Sequence, residues 1–191
     1  MRKNRGQVLV ILAFLFIVVL LILAVLIDGA RLMIEKQELQ RAADAAGKAG
    51  LLLVGDQMMT QAVRAQHEIT CTATEVPLDP GTAELVPSAT PPPTELTGWL
   101  DEEDRSTLIS PPIQTSVSHQ VLEQARRNGK GLENPEITEI IIDYPAGYQP
   151  HDRYLHLAIC IHQKVDLLFG HWLGPGEGIL VGESRQKIPQ R

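Results

Sequence analysis

Residues 8–27, "VLVILAFLFIVVLLILAVLI", are apolar at all twenty positions. At about 1.5 Å of rise per residue such a helix spans roughly 30 Å, the thickness of a bilayer's hydrocarbon core. The pattern therefore predicts a membrane helix over 8–27. Arg2, Lys3 and Arg5 precede it, whereas Asp28 and a mixed-charge stretch follow. The positive-inside tendency holds a short N-terminus in the cytoplasm and sends residues 28–191 across. A cleaved secretory signal would need a shorter apolar region of roughly 7–15 residues ending in a small-x-small site. Here the run is longer, and "DGARLMIEKQELQ" continues as helix.

Beyond the membrane the apolar positions thin to a stripe: Leu32, Leu39, Ala42, Ala46, Ala49 and Leu53. These steps of three, four and seven define one narrow side of a helix, with Glu35, Lys36, Glu38, Arg41 and Lys48 largely outside it. No proline interrupts Met1 to His67. The expectation is one rod over 7–66, about 85–90 Å long for residues 7–65. Its segment "LQRAADAAGKAG" (39–50) offers Leu39, Ala42, Ala43, Asp44, Ala46 and Ala49 as a closely packable surface for partner helices. Packing of this half on the chain's own domain is the alternative.

From His67 the period changes to two. "HEITCTATEV" sets Ile69, Cys71 and Ala73 against Thr70, Thr72 and Thr74, which predicts a strand. Residues 77–115 are rich in Pro, Thr and acids and read as a long irregular surface loop. A helix follows at about 116–128, with Val117, Val121, Leu122 and Ala125 as its apolar face. Asn128-Gly129 would end it in a left-handed conformation. "EITEIIIDY" (136–144) is apolar enough for a central strand. "RYLHLAICIHQKV" (153–165) alternates, with Leu155, Leu157, Ile159 and Ile161 facing one way and Tyr154, His156, Cys160 and His162 the other. "ILVGESRQK" supplies a last strand. The fold class is thus α+β: a basic leader (1–6), a membrane and extended helix (7–66), and a small extracytoplasmic domain (67–191) with an antiparallel sheet.

Composition narrows the chemistry. A net charge of −6 with no basic stripe argues against nucleic acid as a partner. Aromatic content of 4% leaves the soluble part an aliphatic core. Cys71 and Cys160 suffice for one disulfide, formed if their strands are neighbours outside the cytoplasm. His156, Cys160 and His162 share a strand face, but a zinc site would need a fourth ligand such as His151 or His171 that nothing positions. "GPGEG" (174–178) lacks the context and lysine of a phosphate loop. "LDEED" (100–104) lacks the glycine-punctuated spacing of a calcium loop and reads as a solvated acidic loop. No nucleophile motif of the Gly-x-Ser-x-Gly type occurs, so no enzyme activity and no cofactor are expected.

Arg5-Gly6-Gln7, the hydrophobic run closed by Asp28, and Leu39-Gln40 followed by Ala43-Asp44-Ala45-Ala46 together resemble the N-terminal segment of the Tad (tight adherence) pilus TadE/TadG-like pseudopilins. The likeness covers residues 5–50. A weaker one runs through Asn128-Gly129, Tyr144-Pro145 and Leu168-Phe169-Gly170. The resemblance implies a structural or assembly subunit of a Tad-type, type IV-related pilus in the cytoplasmic membrane. Its partners would be the lipid bilayer and other pilin-like or pilus-assembly proteins, met through the N-terminal helix. It also implies a prepilin peptidase that cuts between Gly6 and Gln7. Ile11 stands where such processing sites typically carry glutamate, and the Asp-x-Ser-x-Ser adhesion motif of larger TadG-like proteins is absent. The alternative function is a signal-anchored extracytoplasmic binding module. A plain tether, however, needs no small-residue stripe beyond the bilayer.

Overall fold

The computed structural model describes residues 5–74, 96–134, 138–149, 152–169 and 176–189. Helix α1 runs Arg5–Thr74, 70 residues without a break, which at 1.5 Å per residue is about 105 Å. It therefore continues through 67–74, where the two-residue alternation predicts a strand. A helix already many turns long extends without a new nucleation cost, adding one hydrogen bond per residue fixed. That outweighs a short Thr alternation, and the first proline, Pro77, comes only later.

Residues 96–115, expected to be irregular, are mostly helical. A 3-10 turn spans Leu96–Trp99, α2 spans Glu102–Leu108 and α3 spans Pro111–Asn128. The acidic run is the start of α2. Asp101 is its N-cap, accepting from Asp104 N at 2.7 Å, while Asp104 Oδ2 accepts from Asp101 N at 3.4 Å. Glu102, Glu103 and Asp104 then sit in the first turn, where carboxylates meet the positive end of the helix dipole. The two prolines that suggested a loop open α3 instead, since a first-turn N–H has no intrahelical partner to lose.

α3 ends at Gly129, as expected, but for a different reason. Gly129 is extended (φ −115°, ψ 133°), and among the described residues the positive-φ glycines are Gly131 and Gly147. What Gly129 supplies is space: a Cβ there would lie 2.2 Å from Leu132 Cδ1 and 3.2 Å from Ala42 Cβ.

Three antiparallel strands, β1 (Thr138–Asp143), β2 (Tyr154–Asp166) and β3 (Glu177–Pro189), pair in the order β1-β2-β3. β2 is therefore central, and β1 is an edge whose Glu139, Ile141 and Asp143 are exposed. Register runs through Ile141↔Cys160 and Cys160↔Glu183. The inward face of β2 is as the alternation predicts, with Leu155, Leu157, Ile159 and Ile161 all buried. These meet α1 (Leu39, Ala42, Ala46, Val54, Met58, Ala62) and α3 (Val117, Val121, Ala125) in one core. Tyr144, just after β1, is buried, and its hydroxyl donates to Leu108 O at 3.1 Å, tying the sheet to the end of α2. The long helix and the small α+β domain thus share a single hydrophobic interior.

Candidate functional site

α1 has two unlike halves. Along 8–27 no large apolar side chain is covered: exposures run from 38% at Val18 to 69% at Leu9 and Phe14. Beyond Leu39 the helix is clasped by the domain. The small-residue stripe lies in the clasp, with Leu39, Ala42, Ala43 and Ala46 buried and Asp44 and Ala49 half-buried. The surface expected to receive partner helices is occupied by the chain's own sheet and α3.

Close approach explains the small residues. A Cβ on Gly50 would lie 2.6 Å from Val121 Cγ2 and 2.8 Å from Leu157 Cδ2; one on Gly47 would lie 2.9 Å from Gln186 Cγ. Opposite, a Cβ on Gly182 would come within 3.0 Å of the Leu39 carbonyl oxygen. The helix backbone at Leu39 and the sheet backbone at Gly182 are thus close neighbours.

The contacted face also moves round the helix. After Ala46 it passes to Gly50, Val54, Met58 and Ala62 rather than to Leu53, which is half-buried. Each four-residue step turns the face by about 40° relative to the previous one. The domain wraps round the rod instead of following the heptad-like line of the sequence stripe.

Polar residues of the same segment fix its register. The Gln40 amide donates to Glu183 O at 2.6 Å and accepts from Glu183 N at 3.3 Å. It thereby completes main-chain bonds on the free edge of β3. Asp44 Oδ1 accepts from Gln40 Nε2 at 3.3 Å, one helical turn on, and orients that amide. Leu39, Gln40 and Asp44, spaced as the sequence signature has them, form one docking device for β3. Sequence reasoning placed Gln40 in the signature but gave it no partner, because Glu183 lies 143 residues away.

A second tie lies at the end of the apolar run. Asp28 accepts from Leu168 N at 3.2 Å and from Phe169 N at 2.9 Å. The turn after β2 is held against the helix where the twenty-residue run stops. Nearby, a cleft of about 650 Å³ is lined by Ile27, Arg31, Glu35, Lys130, Lys164 and Val165, among others. Arg31 pairs with Glu35 at 2.7 Å along the helix.

On the outer sheet face Cys160 is a free thiol, its Sγ 3.3 Å from His162 Nε2, and His162 Nδ1 is 3.4 Å from Glu139 Oε2. Desolvation, followed by the Glu183 and Glu139 carboxylates, pushes the Cys160 thiol up from its ordinary value, so it stays protonated and a poor nucleophile. His156 lies beside Tyr154. Among the described residues no group of three or more His, Cys, Asp or Glu is arranged to hold a metal ion. The surroundings of Gly6 and of Cys71 lie outside the described residues, as do His151, His171 and the whole 77–95 segment.

Residues 6–66 match the family model described as putative Flp pilus-assembly TadE/G-like. No curated protein and no solved structure is significantly similar to the chain. The matched segment takes in the apolar run, Asp28 and the Leu39-Gln40-Asp44 device, so the resemblance seen in residues 5–50 holds.

Proposed function

We propose that the protein is a membrane-anchored, pseudopilin-like subunit of a Tad-type pilus system, serving in its structure or its assembly. The family match supports a pilus-related role, and the apolar helix fits a membrane-anchored protein. The observation that carries the reading is the bare half of α1. A twenty-residue apolar surface left wholly uncovered needs lipid or other apolar helices around it. In this reading residues 8–27 cross the cytoplasmic membrane and meet neighbouring pilus proteins there, because the stripe beyond the membrane is already filled. Arg2, Lys3 and Arg5 keep the N-terminus inside and the domain outside.

A prepilin peptidase acts between Gly6 and Gln7, a junction inside α1 and just before the membrane run. Intact-mass measurement of protein purified from its own membrane is expected to find residues 1–6 lost; their retention would leave a permanent anchor. The function itself is tested by in-frame deletion in the native cell, with surface pili counted by electron microscopy. Loss of pili, restored by the intact gene, is the expected result. Unchanged piliation would sink the reading and favour a tethered binding module.

A further inference from the structure

We infer that the turn after β2 is a second membrane contact, in which Leu168 and Phe169 enter the bilayer interface beside the emerging helix. The inference rests on the reading of residues 8–27 as a membrane span. If that run fills the hydrocarbon core, Asp28 stands at its outer boundary, one residue beyond. Both Asp28 carboxylate oxygens hold main-chain N–H groups of the turn, at 3.2 and 2.9 Å, so the turn cannot lie far from that boundary. Two large apolar side chains follow on consecutive residues and are not taken up by the core: Leu168 is 57% exposed and Phe169 37%.

An exposed Leu-Phe pair on a turn is ordinary elsewhere on a surface. Here it lies beside the uncovered apolar surface of α1 on the helix face of Asp28, where Leu21 and Val25 are 47% and 54% exposed. Aromatic and apolar side chains at this depth bury their bodies among headgroups and upper acyl chains. Asp28 has a double use in this arrangement. It closes the membrane run, and its pairing with two N–H groups satisfies a carboxylate that would otherwise face a poorly hydrated boundary.

The neighbouring cleft indicates which lipid property matters. Arg31, Lys130 and Lys164 are balanced there by Glu35, Glu38 and Asp166. With three cations against three carboxylates, the surface has no net attraction for anionic headgroups. The contact is with the apolar interface.

Site-directed spin labelling of the full chain tests this. Cys71 and Cys160 are replaced by Ser, and a single nitroxide is placed at residue 15, 59 or 168 in phosphatidylcholine vesicles. Collision with oxygen and with a water-soluble nickel chelate then reads depth. The label at 168 is expected between the deep label at 15 and the aqueous one at 59. Asp28→Ala is expected to shift the label at 168 toward water and leave that at 59 unchanged. If 168 matches 59 while 15 lies in lipid, the membrane span stands and the inference falls. If 15 itself is aqueous, both fall. A turn that reaches the bilayer only when phosphatidylglycerol is added overturns the apolar contact proposed here.

Discussion

The side-chain amide of Gln40 lies across the main chain of Glu183, donating to its carbonyl oxygen at 2.6 Å and accepting from its N–H at 3.3 Å. One residue of a membrane-proximal helix thus completes the exposed edge of the last strand. An uncovered edge offers a row of unpaired donors and acceptors to other chains, and Gln40 closes part of that row. Leu39 beside it fills the contact above Gly182.

Substitutions at these two neighbours separate hydrogen bonding from packing. Gln40→Ala is expected to cost about 1 kcal/mol, because water replaces both bonds at a partly exposed site. Leu39→Ala removes a buried side chain between two backbones and is expected to cost about 2–4 kcal/mol. Denaturant titration of the full chain in detergent, followed by circular dichroism, checks both values and their order.

Glycines on one helix are expected to respond in opposite directions. Gly50→Ala drives a methyl group into Val121 and Leu157 and is expected to destabilise by about 1–3 kcal/mol. Gly29→Ala meets nothing within 4 Å and is expected to gain up to about 1 kcal/mol from helix propensity. Thermal unfolding of the two variants beside the parent decides this. Equal losses at both positions would contradict the close approach at Gly50.

Tyr144 gives the fold an alkaline limit. Burial raises its phenol above the ordinary value of 10.0. Between that value and the raised one the unfolded chain has lost the proton and the folded chain keeps it. Stability is therefore full below pH 10 and falls as pH rises above it. Tyr144→Phe is expected to lose about 1 kcal/mol at neutral pH with the bond to Leu108, and to show a shallower decline above pH 10. Denaturation midpoints at pH 8 and pH 10.5 for both proteins measure the difference.

Topology is open to direct measurement. In a chain with both native cysteines replaced, Met59→Cys is expected to react with a membrane-impermeant thiol reagent in intact cells, since Met59 is 56% exposed and lies on the domain side of the membrane run. Protection of that thiol until the membrane is broken would reverse the proposed orientation.

Local pattern revealed much of this fold and little of its assembly. The apolar run, the inward face of β2 and the apolar face of α3 are signals within single elements, one continuous and two periodic, and all three are read directly from the chain. The strand expected after His67 failed because a short alternation cannot compete with a helix already propagating through it. The helices within 96–115 were hidden by prolines and acids that mark helix starts as readily as loops. The stripe around Ala42 and Ala46 announced close packing but not with what. Its partners, Val121, Gly129, Leu157 and Gly182 among them, lie far away along the chain, and a single sequence carries no record of such pairs. Gln40 and Asp28 were visible as polar residues at marked positions. Their receptors are backbone groups, which have no side-chain signature at all.

The alignment of α1 with β3 has a mechanical consequence. Contacts advance in the same direction on both elements, from Leu39 on Gly182, through Gln40 on Glu183 and Gly47 beside Gln186, to Gly55 beside Ile188. A pull along the helix axis therefore loads these contacts in shear, sharing the force among them. They must give way together rather than peel one after another. The domain is coupled to the rod as a lap joint, and traction on the membrane end reaches the sheet without passing through a hinge.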